Sequence, residues 1–258
     1  MEHTSQFATY PSLRDRVVLI SGGATGIGAA IVEAFAQQDA RVAFLDLQQE
    51  AGEALVSRLQ QNGLPAPLFV RCDLTDTTAA QQALRAIEEQ WGALDVLVNN
   101  AGNDVRHDLE DVTSERWDQL MAVNLKHQFF LSQAALPGMR QKQRGSIVNM
   151  GSISWVIPST DLPVYTTAKA AIVGLTKTLA HLAGKDNVRV NCVMPGAILT
   201  EKQQRLWLTP EYTATVLGAQ AIKRMIVPEE VARLVLFLAA DDSAAITNQC
   251  HVIDGGWI

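Results

Sequence analysis

Apolar positions along this chain fall into two alternating patterns. Short, mostly apolar runs rich in Val, Ile and Leu occur near 16–20, 41–46, 67–72, 94–99, 145–151, 188–194 and 250–253. Stretches with helical spacing lie between them, near 26–38, 48–62, 76–91, 114–137, 163–184 and 228–240. A strand with no polar alternation is buried on both faces, and strands alternating with helices imply a parallel sheet covered on both sides. The expected class is therefore α/β. One segment breaks the rhythm: Leu199 to Met225 holds two candidate short helices around Leu208-Thr209-Pro210. A long insertion at the ligand end of such a sheet reads as a lid, here over 199–225, that closes over the substrate.

Length and composition change this picture little. A chain of 258 residues suits one large α/β core, and no repeat, low-complexity tract or linker divides it. The expected organisation is a loose arm at 1–12 followed by one domain at 13–258. The arm is polar and lacks the apolar segment of a signal peptide. Lys plus Arg is 21 and Asp plus Glu is 27, a net charge of −6. That balance argues against nucleic acid and anionic membranes, which require a basic stripe. No apolar run approaches the ~20 residues of a membrane span. Cys72, Cys192 and Cys250 have no metal-ligand spacing and read as buried free thiols in a reducing, cytoplasmic setting. His107, His127 and His181 sit on different elements and read as structural or surface residues, so no metal site is expected.

Three local patterns carry chemistry. The first follows the strand ending at Ile20: Ser21-Gly22-Gly23-Ala24-Thr25-Gly26-Ile27-Gly28, running directly into a helical pattern. Strand, glycine turn and helix together form the context of a dinucleotide fingerprint. Gly22 permits the turn, Gly26 lets backbone approach a pyrophosphate, and Gly28 lets the helix pack closely. The helix start then presents free N–H groups and the positive end of its dipole to phosphates. The second pattern is Asp46, 20 residues after Gly26 at the end of the next strand. A carboxylate there accepts from the adenosine ribose hydroxyl and repels a 2′-phosphate. No Lys or Arg lies in the glycine loop or in Leu47-Gln48-Gln49, so NAD is expected over NADP. The third is Tyr165 and Lys169, four residues apart on one helix face. An ammonium beside a phenol favours the phenolate and makes it a usable base.

These features, with others in order along the chain, resemble the short-chain dehydrogenase/reductase family. Asn99-Asn100-Ala101-Gly102 resembles its N-N-A-G element, and Asn124 matches its catalytic Asn. Ser152 stands 13 residues before Tyr165, the family's usual spacing. Pro195-Gly196 with Ile198 and Thr200 resembles the loop on the nicotinamide side, and Asp254-Gly255-Gly256 a C-terminal signature. The resemblance spans roughly residues 13–258. Two departures are small: Ser21 replaces a usual Thr, and Gly151 stands where a second Ser is common. The family implies a single-domain Rossmann-type, doubly wound parallel sheet of seven strands, and a homotetramer. It implies Asn124, Ser152, Tyr165 and Lys169 as catalytic residues. Its cofactor contacts fall on Gly22, Thr25, Gly26, Ile27, Gly28, Asp46, Asp73, Leu74, Asn100, Ala101, Gly102, Tyr165, Lys169, Pro195, Gly196, Ile198 and Thr200. Asp73 is expected at the adenine; capping the helix near Thr77 is its other reading. Tyr165 is expected to take the hydroxyl proton, Ser152 to hold the substrate oxygen, Lys169 to hold the nicotinamide ribose, and Asn124 to anchor a water leading to Lys169.

Substrate is less legible. The expected contacts are Asn103, Ser152, Ser154, Trp155, Tyr165 and Trp207, a mixture of hydrogen-bonding groups and indoles that suits a sugar better than a steroid or acyl chain. Surface-loop and core-packing roles are the alternative for this group. The stretches Asn99 to His107, Trp117-Asp118, Gly151 to Trp155, Leu208 to Glu211 and Ile226 to Glu229 are similar to bacterial NAD-dependent D-xylose 1-dehydrogenases within the family. That similarity implies oxidation of an aldose, a pentose first, at its anomeric hydroxyl to a lactone. A polyol, another sugar, a sugar-acid keto group or a 3-oxoacyl substrate keeps the same mechanism. A catalytically silent NAD-binding protein is the reading from another class, and the intact Asn124, Ser152, Tyr165 and Lys169 set argues against it.

Overall fold

The computed structural model describes residues 6–258, so residues 1–5 of the expected arm lie outside the described residues. Seven strands form one sheet: β1 (Val17–Ser21), β2 (Arg41–Asp46), β3 (Leu68–Arg71), β4 (Val96–Asn99), β5 (Gly145–Met150), β6 (Val188–Pro195) and β7 (Cys250–Ile253). Their spatial order is β3-β2-β1-β4-β5-β6-β7, and every pairing is parallel. This is the doubly wound arrangement expected from the chain. Among the described residues the α-helices are α1 (Gly26–Ala36), α2 (Gln49–Gln61), α3 (Thr77–Trp91), α4 (Ser114–Met121), α5 (His127–Lys142), α6 (Pro163–Ala183), α7 (Glu201–Leu206), α8 (Pro210–Ala219) and α9 (Pro228–Ala239).

Strand β1 shows why the runs are apolar throughout. Val18 and Ile20 face one core, with α1, α2 and α9 supplying Ile31, Phe35, Leu59 and Val235. Val17 and Leu19 face the other, where α3, α5 and α6 bring Leu84, Leu131 and Leu179. Successive side chains leave opposite faces of a strand, so a strand covered twice must be apolar at every position.

Strand order reverses at β1, which lies between β2 and β4. The crevice beyond the carboxyl ends of β1 and β4 is where ligands bind in open α/β sheets. None of the described helices is long and apolar enough to cross a membrane.

Three details differ from expectation. Helix 114–137 continues to Lys142, interrupted by one π-helical turn at Ala122–Lys126. Pro137 does not end it, because Pro137 and Gln133 are both exposed and the carbonyl left without a donor faces water. The arm is tied down from Tyr10 onward: Tyr10 N donates to Gln38 Oε1 at 2.7 Å, Ser12 Oγ accepts from Asp241 N at 3.1 Å, and Leu13 is buried. Cys250, read as buried, is exposed, since it opens the edge strand β7; Cys72 and Cys192 are buried.

The end of the sheet away from the crevice is held by Asp95. Its carboxylate accepts from Val17 N at 2.9 Å and from Lys142 Nζ and Arg144 Nη2, each at 2.7 Å. Burial alone would raise its pKa, but the hydrogen bonds from Lys142, Val17 and Arg144 outweigh it and hold the carboxyl below its usual range. A depressed pKa contributes stability that is full above the unfolded value and is lost as pH falls through the folded one. Asp95→Ala should therefore cost about 3 kcal/mol in urea unfolding at neutral pH, and its deficit should shrink on acidification. An unchanged urea midpoint at neutral pH would show that the network contributes nothing.

Candidate active site

The glycine loop between β1 and α1 is pressed against the end of β4. Gly22 has φ +67°, and a Cβ on it would lie 2.8 Å from Ala101 Cα. A Cβ on Gly28 would lie 1.8 Å from Gly22 O, so only glycine lets α1 start there. Asn100 Nδ2 closes the junction by donating to Gly22 O at 2.8 Å and Ser21 O at 3.2 Å. Ser21 Oγ accepts from Asn100 N at 3.0 Å and Ala101 N at 3.2 Å. The serine thus supplies the hydroxyl that this junction needs. No side chain caps the first turn of α1, which leaves its N–H groups for a ligand.

Carboxylates end the next two strands. Asp46, 7 % exposed, accepts from Ala24 N at 2.9 Å and Gln48 N at 3.0 Å, which ties the glycine loop to β2. Arg71, its register partner on β3, is exposed and does not line the cleft. Asp73 accepts from Thr75 N at 2.9 Å and Thr75 Oγ1 at 2.7 Å. The cap of α3 is instead Asp76, which accepts from Thr78 N and Ala79 N. Asp73 is thereby left on the cleft wall.

A cleft of about 1100 Å³ runs along these strand ends. Every residue expected at the cofactor, from Gly22 to Thr200, lines it, as do Asn103, Ser152 and Ser154. Lys169 is buried and donates to Met150 O at 2.8 Å; its Nζ lies 5.3 Å from the centre of the Tyr165 ring. Burial and the Asp104 charge push the Tyr165 phenol above its ordinary value, and a hydrogen bond with Ser152 pulls the other way. Burial draws Lys169 down to about 8, opposed by Cys192 and Asp104. Desolvation therefore outweighs the pairing of ammonium and phenol on which the Tyr-Lys spacing was read.

Asn124 is not on the cleft wall. It sits, fully buried, on the π-helical turn and brackets the Asn103 backbone: its Oδ1 accepts from Asn103 N at 2.7 Å, and its Nδ2 donates to Asn103 O at 3.1 Å. A π turn advances one residue further than an α turn, which swings this side chain inward. His127, also fully buried, bonds Ala101 O through Nε2 at 3.0 Å. Burial, with Lys169 nearby, holds it at about 3, so it stays neutral.

The structure does not bring Trp155 or Trp207 to the cleft wall. Trp155 is 39 % exposed, and Trp207 packs under Arg106, whose guanidinium carbon lies 4.3 Å from the ring centre. In their place stand Asp104, Arg106, Lys202, Gln203 and Tyr212, together with Trp257 from the C-terminus. Asp104 accepts from Lys202 Nζ on α7 and from Gln203 Nε2 at 2.7 Å, so α7 is fastened to the loop after β4. Only the glycines of Asp254-Gly255-Gly256 hinted at Trp257: both have positive φ and turn the chain end back toward the cleft.

A family model described as Enoyl-(Acyl carrier protein) reductase matches residues 22–258. The chain is 49 % identical over 247 residues to "Probable galactose dehydrogenase GalD" of Rhizobium meliloti, covering 96 % of each. It is 47 % identical over 250 residues to "D-xylose 1-dehydrogenase" of Caulobacter vibrioides, covering 97 % of this chain and 98 % of that protein. The crystal structure of a 3-oxoacyl-[acyl-carrier protein] reductase from Brucella melitensis superposes with a TM-score of 0.90 at 32 % identity, covering 100 % of this chain and 98 % of that one. Such matches run the length of the chain and take in both the glycine loop and the Ser152–Tyr165–Lys169 group: the protein belongs to the short-chain dehydrogenase/reductase family.

Proposed function

We propose that this protein is an NAD-dependent aldose 1-dehydrogenase that oxidises the anomeric hydroxyl of a pentose or hexose to a lactone, with D-xylose and D-galactose the first candidates. The observation that carries this reading is the polar wall opposite Tyr165. Asn103, Asp104, Arg106, Lys202 and Gln203 line the cleft with donors and acceptors. The Ser154 hydroxyl, 7 % exposed, has no hydrogen-bond partner in the protein. A buried, unpaired hydroxyl is costly unless a ligand satisfies it. A sugar offers hydroxyls to such a wall, whereas an acyl chain would strand its polar groups. Two relatives near half identity bear sugar dehydrogenase names, which supports the same substrate class.

The residues present fit a dinucleotide. The tight glycine cradle and the uncapped start of α1 would hold its diphosphate, and Asp46 its adenosine ribose. A carboxylate with no cation beside it in the cleft favours NAD. When bound, the dinucleotide would supply the hydride acceptor for the oxidation. Tyr165 takes the proton from that hydroxyl, and Ser152 donates to its oxygen and fixes the substrate's position. Lys169, held by Met150 O, places a positive charge beside the phenolate as it forms. Asn124 acts at one remove, by fixing the Asn103 backbone at the mouth of the substrate side.

NADH formation with a panel of aldoses, beside polyols and hydroxy acids, tests the reading. Turnover of an aldose with NAD preferred at least about tenfold over NADP is expected; an inert aldose panel with a responding polyol or hydroxy acid would sink the sugar assignment. Tyr165→Phe should lose turnover by at least about a hundredfold while still binding NADH. Loss of NADH binding alongside turnover would point to a folding defect instead.

Ser154→Ala should raise KM for the best sugar more than it lowers kcat, because the hydroxyl contributes binding and not chemistry. Unchanged constants would remove Ser154 from the pocket.

The rate of oxidation should rise with pH as Tyr165 ionises. Asp104 raises that pKa, so Asp104→Asn should move the rising limb of kcat/KM to lower pH. A limb that stays in place would show that Asp104 acts only through the lid.

A further inference from the structure

Two thiols meet under the floor of the active site. Cys192 on β6 and Cys250 on β7 are register partners in parallel strands, so both side chains leave the same face of the sheet. Neighbouring strands lie about 5 Å apart, within the span that a disulfide bridges. Both cysteines are free, each thiol shifts the titration of the other, and Cys192 Sγ donates to Val193 O at 3.7 Å.

Their surroundings are unequal. Cys250 is exposed at the head of an edge strand. The neighbouring Cys192 thiol, with help from Lys177, draws its thiol below the ordinary value although partial burial opposes this. Cys192 is fully buried, and the Cys250 thiol and burial push it up. An exposed thiol that ionises readily, beside a buried partner able to resolve it, is the arrangement of a redox-sensing pair. Cys72, the third cysteine, lies beyond β3 at the other edge of the sheet and is pushed up by burial. It has no part in the pair and serves as an internal control.

Cys192 also reaches the catalytic group. Its Sγ fills the space under Gly151, where an added Cβ would lie 2.8 Å from the sulfur. Gly151 directly precedes Ser152, and its N–H donates to Val193 O at 2.7 Å, the carbonyl that also accepts from Cys192 Sγ. We propose that Cys192 and Cys250 form an intrachain disulfide on exposure to a peroxide, and that this bond switches turnover down by drawing the Cys192 sulfur from beneath Gly151 toward β7.

The chemistry balances with hydrogen peroxide as the oxidant. The Cys250 thiolate attacks one peroxide oxygen; an S–O bond forms, the O–O bond breaks, and the departing hydroxide takes a proton to become water. Cys192 then gives up its proton and attacks the Cys250 sulfur; the S–S bond forms, the S–O bond breaks, and a second water leaves. Two thiols lose two electrons in all, and the peroxide gains them. A bridge across directly paired strands at an exposed edge is strained and easily reduced, as a reversible switch requires.

The test treats the native protein with hydrogen peroxide, then reads intact mass, non-reducing peptide maps and turnover with the best alcohol from the substrate panel. The expected result is loss of two hydrogens, one linked peptide pair carrying Cys192 and Cys250, and a free Cys72. Turnover should fall on the order of tenfold, since small displacements near reacting groups cost this much or more, and dithiothreitol should restore it. Cys250→Ser, a change at an exposed position, should keep its untreated activity and resist peroxide. Oxygen added to Cys250 with Cys192 still free would overturn the proposal. So would a link between chains, a bridge that leaves turnover unchanged, or inhibition that persists in Cys250→Ser. The mass readout needs no substrate, so its result stands apart from the fate of the sugar assignment.

Discussion

The approach of the glycine loop to the end of β4 is the constraint on which the site depends. Gly22 sits so near Ala101 that no side chain fits between them, and Asn100 and Ser21 stitch the two segments with four hydrogen bonds. This contact sets where α1 starts, and so where its free N–H groups point. The same stretch of chain carries Ala101 and Gly102 over His127 and Lys169, and leads into Asn103 and Asp104. One junction therefore aligns the glycine-loop end of the cleft with the end that carries Ser152, Tyr165 and Lys169. It can form only at the switch point, where β1 and β4 are neighbours although β2 and β3 intervene in sequence.

Burial then decides the electrostatics. Lys169 and His127 are buried and Tyr165 is half-buried on the cleft wall, and desolvation pushes each toward its neutral form. Their net effect is a site in which proton movement is governed by a few fixed neighbours: Ser152 and Asp104 for Tyr165, the Met150 carbonyl for Lys169, and the Ala101 carbonyl for His127. Asp104 joins this to α7, because the carboxylate that raises the phenol's pKa is also the one that Lys202 and Gln203 grip. The position of α7 and the titration of Tyr165 thereby meet at one side chain. At the opposite end of the sheet, Asp95 plays a purely structural counterpart, gathering β1, β4 and the end of α5 without touching the cleft.

How much was legible depended on whether a role is local. Gly22, Gly28, Asp46 and the Tyr165–Lys169 spacing could be read because a turn, a strand end and a helix face are properties of a few adjacent residues. Trp155 and Trp207 were read as sugar-facing because they sit near the right motifs, yet the direction of an indole is set by packing; Trp207 turns under Arg106 instead. Cys250 was read as buried because strands usually are, and β7 being an edge is a fact of sheet order. The arm looked loose because Gln38 and Asp241, which hold Tyr10 and Ser12, are distant in sequence.

The chain by itself determined the alternation of strand and helix, the parallel sheet, the glycine turn and the order of the family's motifs, because periodicity and φ-demanding glycines are written into neighbouring residues. Tertiary structure alone decided what depends on distant segments meeting. Asn124 turns inward through a π-helical turn, α7 fastens to Asp104, Trp257 returns to the cleft, and Cys192 comes beside Cys250. Burial, rather than the Lys169 charge, became the main influence on Tyr165. These outcomes follow from desolvation and close packing, which no single stretch of sequence contains.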